Sequence, residues 1–157
     1  MTRLRGRAPR GERCHASAPC GHWKNTTMIS SIRLDGTTAA MTIDGATDTE
    51  VFRAYVAEVL CPTLRPGDLV VMDNLAPHKS EPTLALITAA GAEVLFLPAY
   101  SPDFNPIEKM WSKVKALLRS AEARNPEDLV AAVGAALAQV TSNDALGWFV
   151  SCGYSFC

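Results

Sequence analysis

Two short apolar runs limit what this chain can fold into more than anything else in it. Residues Leu69–Met72 (LVVM) and 93–97 (EVLFL) are bounded by turn residues or proline. Such runs lack the polar alternation of a half-exposed strand, so they need cover on both faces, as strands of parallel sheets have. Parallel neighbours cannot be joined by a tight turn and need a crossover. Residues 80–90 supply it, as a helix closed by Gly91. The first half reads differently. Residues 26–33 (TTMISSIR) and 38–43 (TAAMTI) are β-rich, and the Asp35-Gly36 pair between them predicts a hairpin.

Helical signals fill the rest. Residues 47–60 place Val51, Phe52, Tyr55, Val56, Val59 and Leu60 on one face, and Pro62 is expected to end that helix. Residues 65–68 read as a turn. Residues 105–120 carry Ile107, Met110, Trp111, Val114, Leu117 and Leu118 on one stripe, the pattern of core packing. An Ala-rich helix over 126–140 and a short one from Asn143 follow. Strands alternating with helices predict an α/β fold with a parallel sheet under helices. At 157 residues, 48% hydrophobic and 20% charged, the chain suffices for one globular core. Its expected organisation is a single domain: a basic loop segment over 1–24, then a hairpin, a β/α core and C-terminal helices over 25–157.

No apolar run approaches the ~20 residues that cross a bilayer, and the basic opening is not followed by an apolar stretch. The expected compartment is the cytoplasm, with no membrane partner. Five cysteines at scattered positions make a poor disulfide framework and agree with that. Cys14, His15, Cys20 and His22 fit no common zinc spacing and read as loop residues. Net charge is only −1, yet the charge is unevenly spread. Arg3, Arg5, Arg7, Arg10 and Arg13 crowd the start, and Lys109, Lys113, Lys115 and Arg119 share one helix. Local basic patches of this kind can meet phosphate on a chain that is neutral overall.

Two carboxylates carry the chemical signal. Asp73 stands where the first apolar strand runs out into Asn74-Leu75-Ala76-Pro77-His78, and ligands of open α/β sheets bind beyond such strand ends. An Asp there can equally cap a turn. Glu108 follows Asn105 and Pro106, and these three suffice for a capping box at a helix start. Together they mean more. One ends a strand and the other opens the helix after the neighbouring strand, so both can face one crevice. Hard divalent cations bind through a few carboxylates plus phosphate oxygens.

The strings LVVMDNLAPHK and LPAYSPDFNPIEKMWSKVK, with 34 residues between Asp73 and Glu108, resemble the DDE transposases. The likeness is to the mariner superfamily and its bacterial insertion-sequence relatives; RGRAPRGER and GHWKNTT near the start resemble the bacterial branch. The resemblance implies an RNase H-like mixed sheet with flanking helices and three acids that hold two Mg²⁺ or Mn²⁺ ions. The reaction it implies is DNA transposition: cleavage of phosphodiesters at the ends of a transposon, then joining of the freed 3′-hydroxyl to target DNA. Asp73 corresponds to the second acid and Glu108 to the third, with Asn74, His78 and Asn105 shaping the site. DNA contact falls to Arg3, Arg5, Arg7, Lys109 and Lys113.

The first acid has no counterpart, and neither Asp35 nor Asp44 is placed to replace it. The helix-turn-helix of the family is not seen either. The chain therefore reads as a transposase catalytic-domain fragment, inactive by itself, without the central strand of its sheet. Alternatives are a non-catalytic fragment that binds DNA or a full-length transposase, and a stand-alone nuclease that uses a substitute acid such as Glu12 or Asp44. The gap left by a central strand has three possible fates. The hairpin closes against the Asp73 strand, residues 1–13 fill the space, or an exposed edge pairs with another molecule. Self-association and marginal stability are the expectation.

Overall fold

The Asp-Gly pair does make a hairpin. In the computed structural model, which describes residues 5–15 and 25–155, β1 (Thr26–Ile32) and β2 (Thr38–Asp44) pair antiparallel with Ile29 opposite Met41. The Arg33 N–H donates to the Thr37 carbonyl at 2.9 Å, and Asp35 Oδ1 accepts from the Thr37 N–H at 2.8 Å. Gly36 completes the turn at φ +86°, a backbone state that glycine adopts without cost. Space demands glycine as well. A Cβ at this position would come within 2.7 Å of the backbone of Thr141 and Ser142, so the hairpin tip is pressed against the start of the last helix.

Helix α1 (Thr49–Tyr55) is capped by the Asp48 carboxylate, which accepts from the Val51 N–H. It does not end before Pro62. It widens into a π turn over Val56–Leu60 and tightens into a 3-10 turn over Cys61–Thr63, with the proline at the start of that turn. Proline is tolerated there because no intrahelical N–H bond is required of it. Strands β3 (Leu69–Met72) and β4 (Glu93–Phe96) then pair in parallel, Leu69 opposite Glu93, across the connecting helix α2 (Glu81–Ala89). Three helices follow: α3 (Pro106–Ala121), α4 (Pro126–Leu137) and α5 (Ser142–Ser151). The Ala-rich helix stops short of the expected Val140, and the tail forms a ten-residue helix with a Thr141–Asp144 capping box.

The result is a mixed α/β structure with two small sheets and five α-helices among the described residues. A mixed sheet without its central strand was expected; among the described residues β1 pairs only with β2 and β3 only with β4. The hairpin has not closed against the Asp73 strand. Residues 5–15 are exposed and irregular, and none of them forms a strand. Between β1 and β3 lies a cavity of about 880 Å³, lined by residues 27–35 on one side and 68–73 on the other.

Side chains hold together what backbone bonding does not. One core gathers Phe52, Tyr55, Val56, Leu60, Met72 and Ile87, with Ile29 and Val70 packed against it. A second gathers Met110, Val114, Leu118, Val133 and Ala136, with Met28, Ile32 and Trp111 alongside. Strand β1 thus feeds one core from each face, yet none of its residues is fully buried, because the cavity runs along its free edge. Tyr55 is almost wholly enclosed and donates its hydroxyl to the Ala39 carbonyl at 2.9 Å, tying α1 to β2. Burial pushes that phenol up to about 12.

One ion pair spans the two sheets. Arg33 Nη1 and Nη2 meet Asp68 Oδ2 and Oδ1 at 2.7 and 2.8 Å, a bidentate clamp that closes one end of the cavity. Asp68 Oδ2 also accepts from the Arg65 N–H at 2.8 Å. The Arg33 guanidinium first, and that backbone bond second, hold the Asp68 carboxyl at about 2. A carboxyl depressed in the folded state stabilises above its unfolded value near 3.8 and loses that contribution as pH falls through about 2. Thermal melts from pH 5 to pH 2 should therefore fall more steeply for the native chain than for Asp68→Asn, which lacks this titration. Parallel slopes would show that the clamp adds nothing to stability.

The second core makes a separate prediction. Leu118 is 1% exposed among helices α3 and α4. Leu118→Ala should cost about 2–5 kcal/mol in denaturant unfolding, the range for a leucine cut from a packed interior.

Candidate active site

Strand β3 delivers Asp73 to the carboxyl end of the parallel pair. The chain then turns sharply, with Asp73 Oδ1 accepting from the Leu75 N–H at 3.1 Å in an Asx turn. Asn74 points the other way and donates its side-chain amide to the Leu97 carbonyl just after β4. Asn74 thereby fixes the mouth of the β3–β4 pair, where the Leu97 N–H also reaches the Met72 carbonyl at 2.8 Å.

His78 stands on a 3-10 turn over Ala76–Lys79 and brings Nδ1 to 2.6 Å from Asp73 Oδ1. The approach is close but poorly angled, and the buried Nδ1 makes no properly directed hydrogen bond. It acts as an ion pair when the imidazole is protonated. The ring rests on Phe52, centroids 4.3 Å apart, so the first core supports the imidazole from below. The Asp73 side chain remains 46% exposed. Both of these local contacts fall on Asp73 Oδ1.

Glu108 departs from the capping box expected of it. Asn105 caps α3, but its side chain accepts from the Ile107 N–H at 3.3 Å rather than from the N–H of Glu108. The Glu108 backbone bonds to the Asn105 carbonyl at 3.2 Å, while its carboxylate is exposed and takes no partner among the described residues. Capping at the second helical position frees the third. Asp73, His78, Asn105 and Glu108 all line the cavity between the sheets, and Asp73, with the His78 it touches, stands at the end of β3 away from the Arg33–Asp68 clamp. That clamp and Asp73 lie at opposite ends of β3, about 16 Å apart at some 3.3 Å per residue.

Other acids near the cavity are already engaged. Asp35 lines it, but its carboxylate serves the hairpin turn, whose backbone N–H at Thr37 holds it below the ordinary carboxylate range. Asp68 belongs to the clamp. Asp44 ends β2 outside the cavity lining, and Glu12 lies in the exposed segment 5–15. No cluster of three or more His, Cys, Asp or Glu side chains able to hold a metal ion occurs among the described residues.

The basic residues divide. Lys109 is exposed one position beyond Glu108. Arg5 and Arg7 are exposed in the irregular segment, and Arg3 lies outside the described residues, as do Cys20 and His22. Lys113 differs from the expectation of a free phosphate contact. Its ammonium donates to the Gln139 carbonyl at 2.8 Å and to Asp144 Oδ2 at 2.5 Å, locking α3 to the cap of α5. Lys113, with Thr141 second, holds the Asp144 carboxyl at about 2.

Two contributions were not read from the sequence. Phe52 belongs to the helical stripe, and nothing local says that it will carry His78. The Tyr154 hydroxyl reaches from beyond α5 to the Phe104 carbonyl at 3.0 Å, tethering the proline-rich loop ahead of Glu108.

Comparison with known proteins places the chain in a family. Over 42 residues, 27% of this chain, it is 45% identical to the human (Homo sapiens) protein described as histone-lysine N-methyltransferase SETMAR. The matched stretch spans only 6% of that protein's length. Far broader is the match to the family model described as DDE superfamily endonuclease, which extends over residues 1–130. Both carboxylates, the loop that holds them and both sheets fall inside it. The chain belongs to the DDE superfamily endonucleases.

Proposed function

We propose that Asp73 and Glu108 are the metal-holding carboxylates of an RNase H-like nuclease site that acts on phosphodiesters in DNA transposition. The observation that carries this reading is the unpartnered Glu108 carboxylate on the same cavity as the half-free Asp73. Two hard oxygen donors at one cavity mouth suit Mg²⁺ or Mn²⁺, which complete their shells with water and phosphate oxygens. When bound, such an ion supplies charge stabilisation to a phosphoryl group under in-line attack.

The chain's own residues set the stage for that step. Asn74 and the Asx turn fix where the Asp73 carboxylate points. His78 holds one oxygen of Asp73, Oδ1. Asn105 caps α3 without engaging the Glu108 carboxylate. Lys109, Arg5 and Arg7 are available to a phosphate backbone, and Arg3 is assigned the same role from sequence; Lys113 is not assigned it. The partners of this reading are transposon-end and target DNA, together with a full-length transposase or a second copy of the chain, in the cytoplasm.

Metal binding checks the first half. Mn²⁺ should raise the melting temperature of the native chain, and Asp73→Asn or Glu108→Gln should each remove most of that rise while Lys109→Ala keeps it. An equal rise in all four would place the ion elsewhere.

Catalysis checks the second half. With two carboxylates available rather than three, the site holds one metal position poorly and stabilises the transition state less. The chain alone should not nick supercoiled plasmid in Mn²⁺. Nicking that vanishes in Asp73→Asn would mean that another residue completes the site. Its DNA affinity should fall with salt, and Lys109→Ala should lower the salt slope by about 1.

A further inference from the structure

The loop between β4 and α3 is tied down at both ends. At its start the Leu97 N–H bonds to the Met72 carbonyl at 2.8 Å, and the Leu97 carbonyl accepts the Asn74 amide. At its end the Asn105 N–H reaches the Pro102 carbonyl at 2.9 Å, and the Phe104 carbonyl accepts the Tyr154 hydroxyl at 3.0 Å. Pro98 and Pro102 fix φ at two positions within it. Between these anchors stands Tyr100, with the Ser101 hydroxyl donating across it to the Ala99 carbonyl at 3.3 Å.

Tyr100 is unusual in both backbone and side chain. Its φ is +57°, the left-handed region that a bulky residue rarely adopts. It is also 103% exposed, and no hydrogen bond, ion pair or ring contact among the described residues engages it. Strain of this kind persists only where the surroundings over-determine it. Here the anchored loop does so without packing the ring. A slack loop would let the phenol fold back onto apolar surface; this one holds it out.

The ring stands close to the carboxylates. Met72 pairs with Phe96, so Leu97 lies beside Asp73. Three further residues span at most ~11 Å and neighbouring strands lie ~4.8 Å apart, which puts Tyr100 within roughly five nucleotides of Asp73 at ~3.4 Å of rise each. Phe104 and Leu75, both exposed, continue the apolar rim on either side. The loop over residues 98–105 carries Asp103 and no cation, so it does not suit a phosphate backbone. One protruding ring is also far smaller than the ~800 Å² that each partner gives to a stable protein interface. A single nucleobase fits, because its flat π face matches one phenol ring whatever the sequence.

We propose that Tyr100 is a stacking platform for one unpaired base of the DNA strand whose phosphodiester lies at Asp73 and Glu108. The ring positions that strand and selects frayed or single-stranded ends over intact duplex. This rests on the reading of the two carboxylates as the phosphodiester site.

The test uses the full chain in EDTA, so that metal binding plays no part. Fluorescence anisotropy at fixed salt compares a short blunt duplex with the same duplex frayed by a mismatched 3′-terminal base. The native chain should favour the frayed duplex by about tenfold, within the range for a base stacked on an aromatic ring. Tyr100→Ala should bind both duplexes as the native chain binds the blunt one, whereas Tyr100→Phe should keep the preference. Tyr100→Gly relaxes the backbone, so it should melt no lower than the native chain and still lose the preference. Thiothymine as the frayed base should crosslink within residues 98–105 on irradiation.

Equal affinity of the native chain for both duplexes, or none for either, overturns the proposal. So does a loss in Tyr100→Phe equal to that in Tyr100→Ala, or a crosslink outside the loop. A dimer that Tyr100→Ala dissociates overturns it too, because the ring would then belong to a second copy. If the preference is absent while Mn²⁺ still raises the melting temperature through Asp73 and Glu108, stacking alone fails. If that rise is absent while the preference and the crosslink persist, stacking stands and the carboxylate reading fails.

Discussion

Every backbone N–H and C=O withdrawn from water must find a partner, and a strand offers such groups along two edges. Each of the four strands among the described residues is paired along one edge only. Much else in the structure follows from that shortage. The two sheets cannot cohere by hydrogen bonding, so cohesion falls to side chains on either side of the gap. Strand β1 shows the consequence most directly. It sends Ile29 into one core and Met28 and Ile32 into the other, the two-sided packing of an interior strand, while one edge stays bare.

The Arg33–Asp68 clamp takes its importance from the same shortage. A partly exposed ion pair on an ordinary surface contributes little. Here it is a specific polar link between the hairpin and the β3–β4 pair, and its bidentate geometry fixes both distance and angle. It also orders the cavity. One end is occupied by a satisfied charge pair, and Asp73 stands at the opposite end of β3. Electrostatic asymmetry along a strand-length groove thus comes from a pair at the end of β3 opposite Asp73.

Legibility in the sequence tracked the range of the forces involved. The hairpin, β3, β4 and α3 were readable because turn chemistry and apolar periodicity act over a few residues. The places of Asp73 at a strand end and Glu108 at a helix start were readable because both are local features. The π turn at Val56–Leu60 was not, since local rules make Pro62 a stop and only packing decides that the helix continues beyond it. The clamp joins residues 35 apart, and no spacing rule connects them. Lys113 shows the same limit of range. Its place in a basic cluster suggested phosphate, but an acid 31 residues later in the chain claims the charge. Glu108 sat in a capping pattern that the sequence could not distinguish from a free carboxylate; the cap had only to shift by one residue to release it.

The packing of Gly36 against Thr141 and Ser142 has a consequence in time as well as in space. The hairpin leaves a ribosome well before the helix start that seats its tip. Roughly a hundred residues separate them, which at about 5–20 residues per second means a wait of some 5–20 seconds. During that interval the hairpin has its turn and its register but no seat. An isolated two-stranded hairpin is marginal in water, so nascent chains would carry an exposed, half-formed edge until α5 emerges. Timing of synthesis, more than the finished contacts, then governs how long that edge is open to capture.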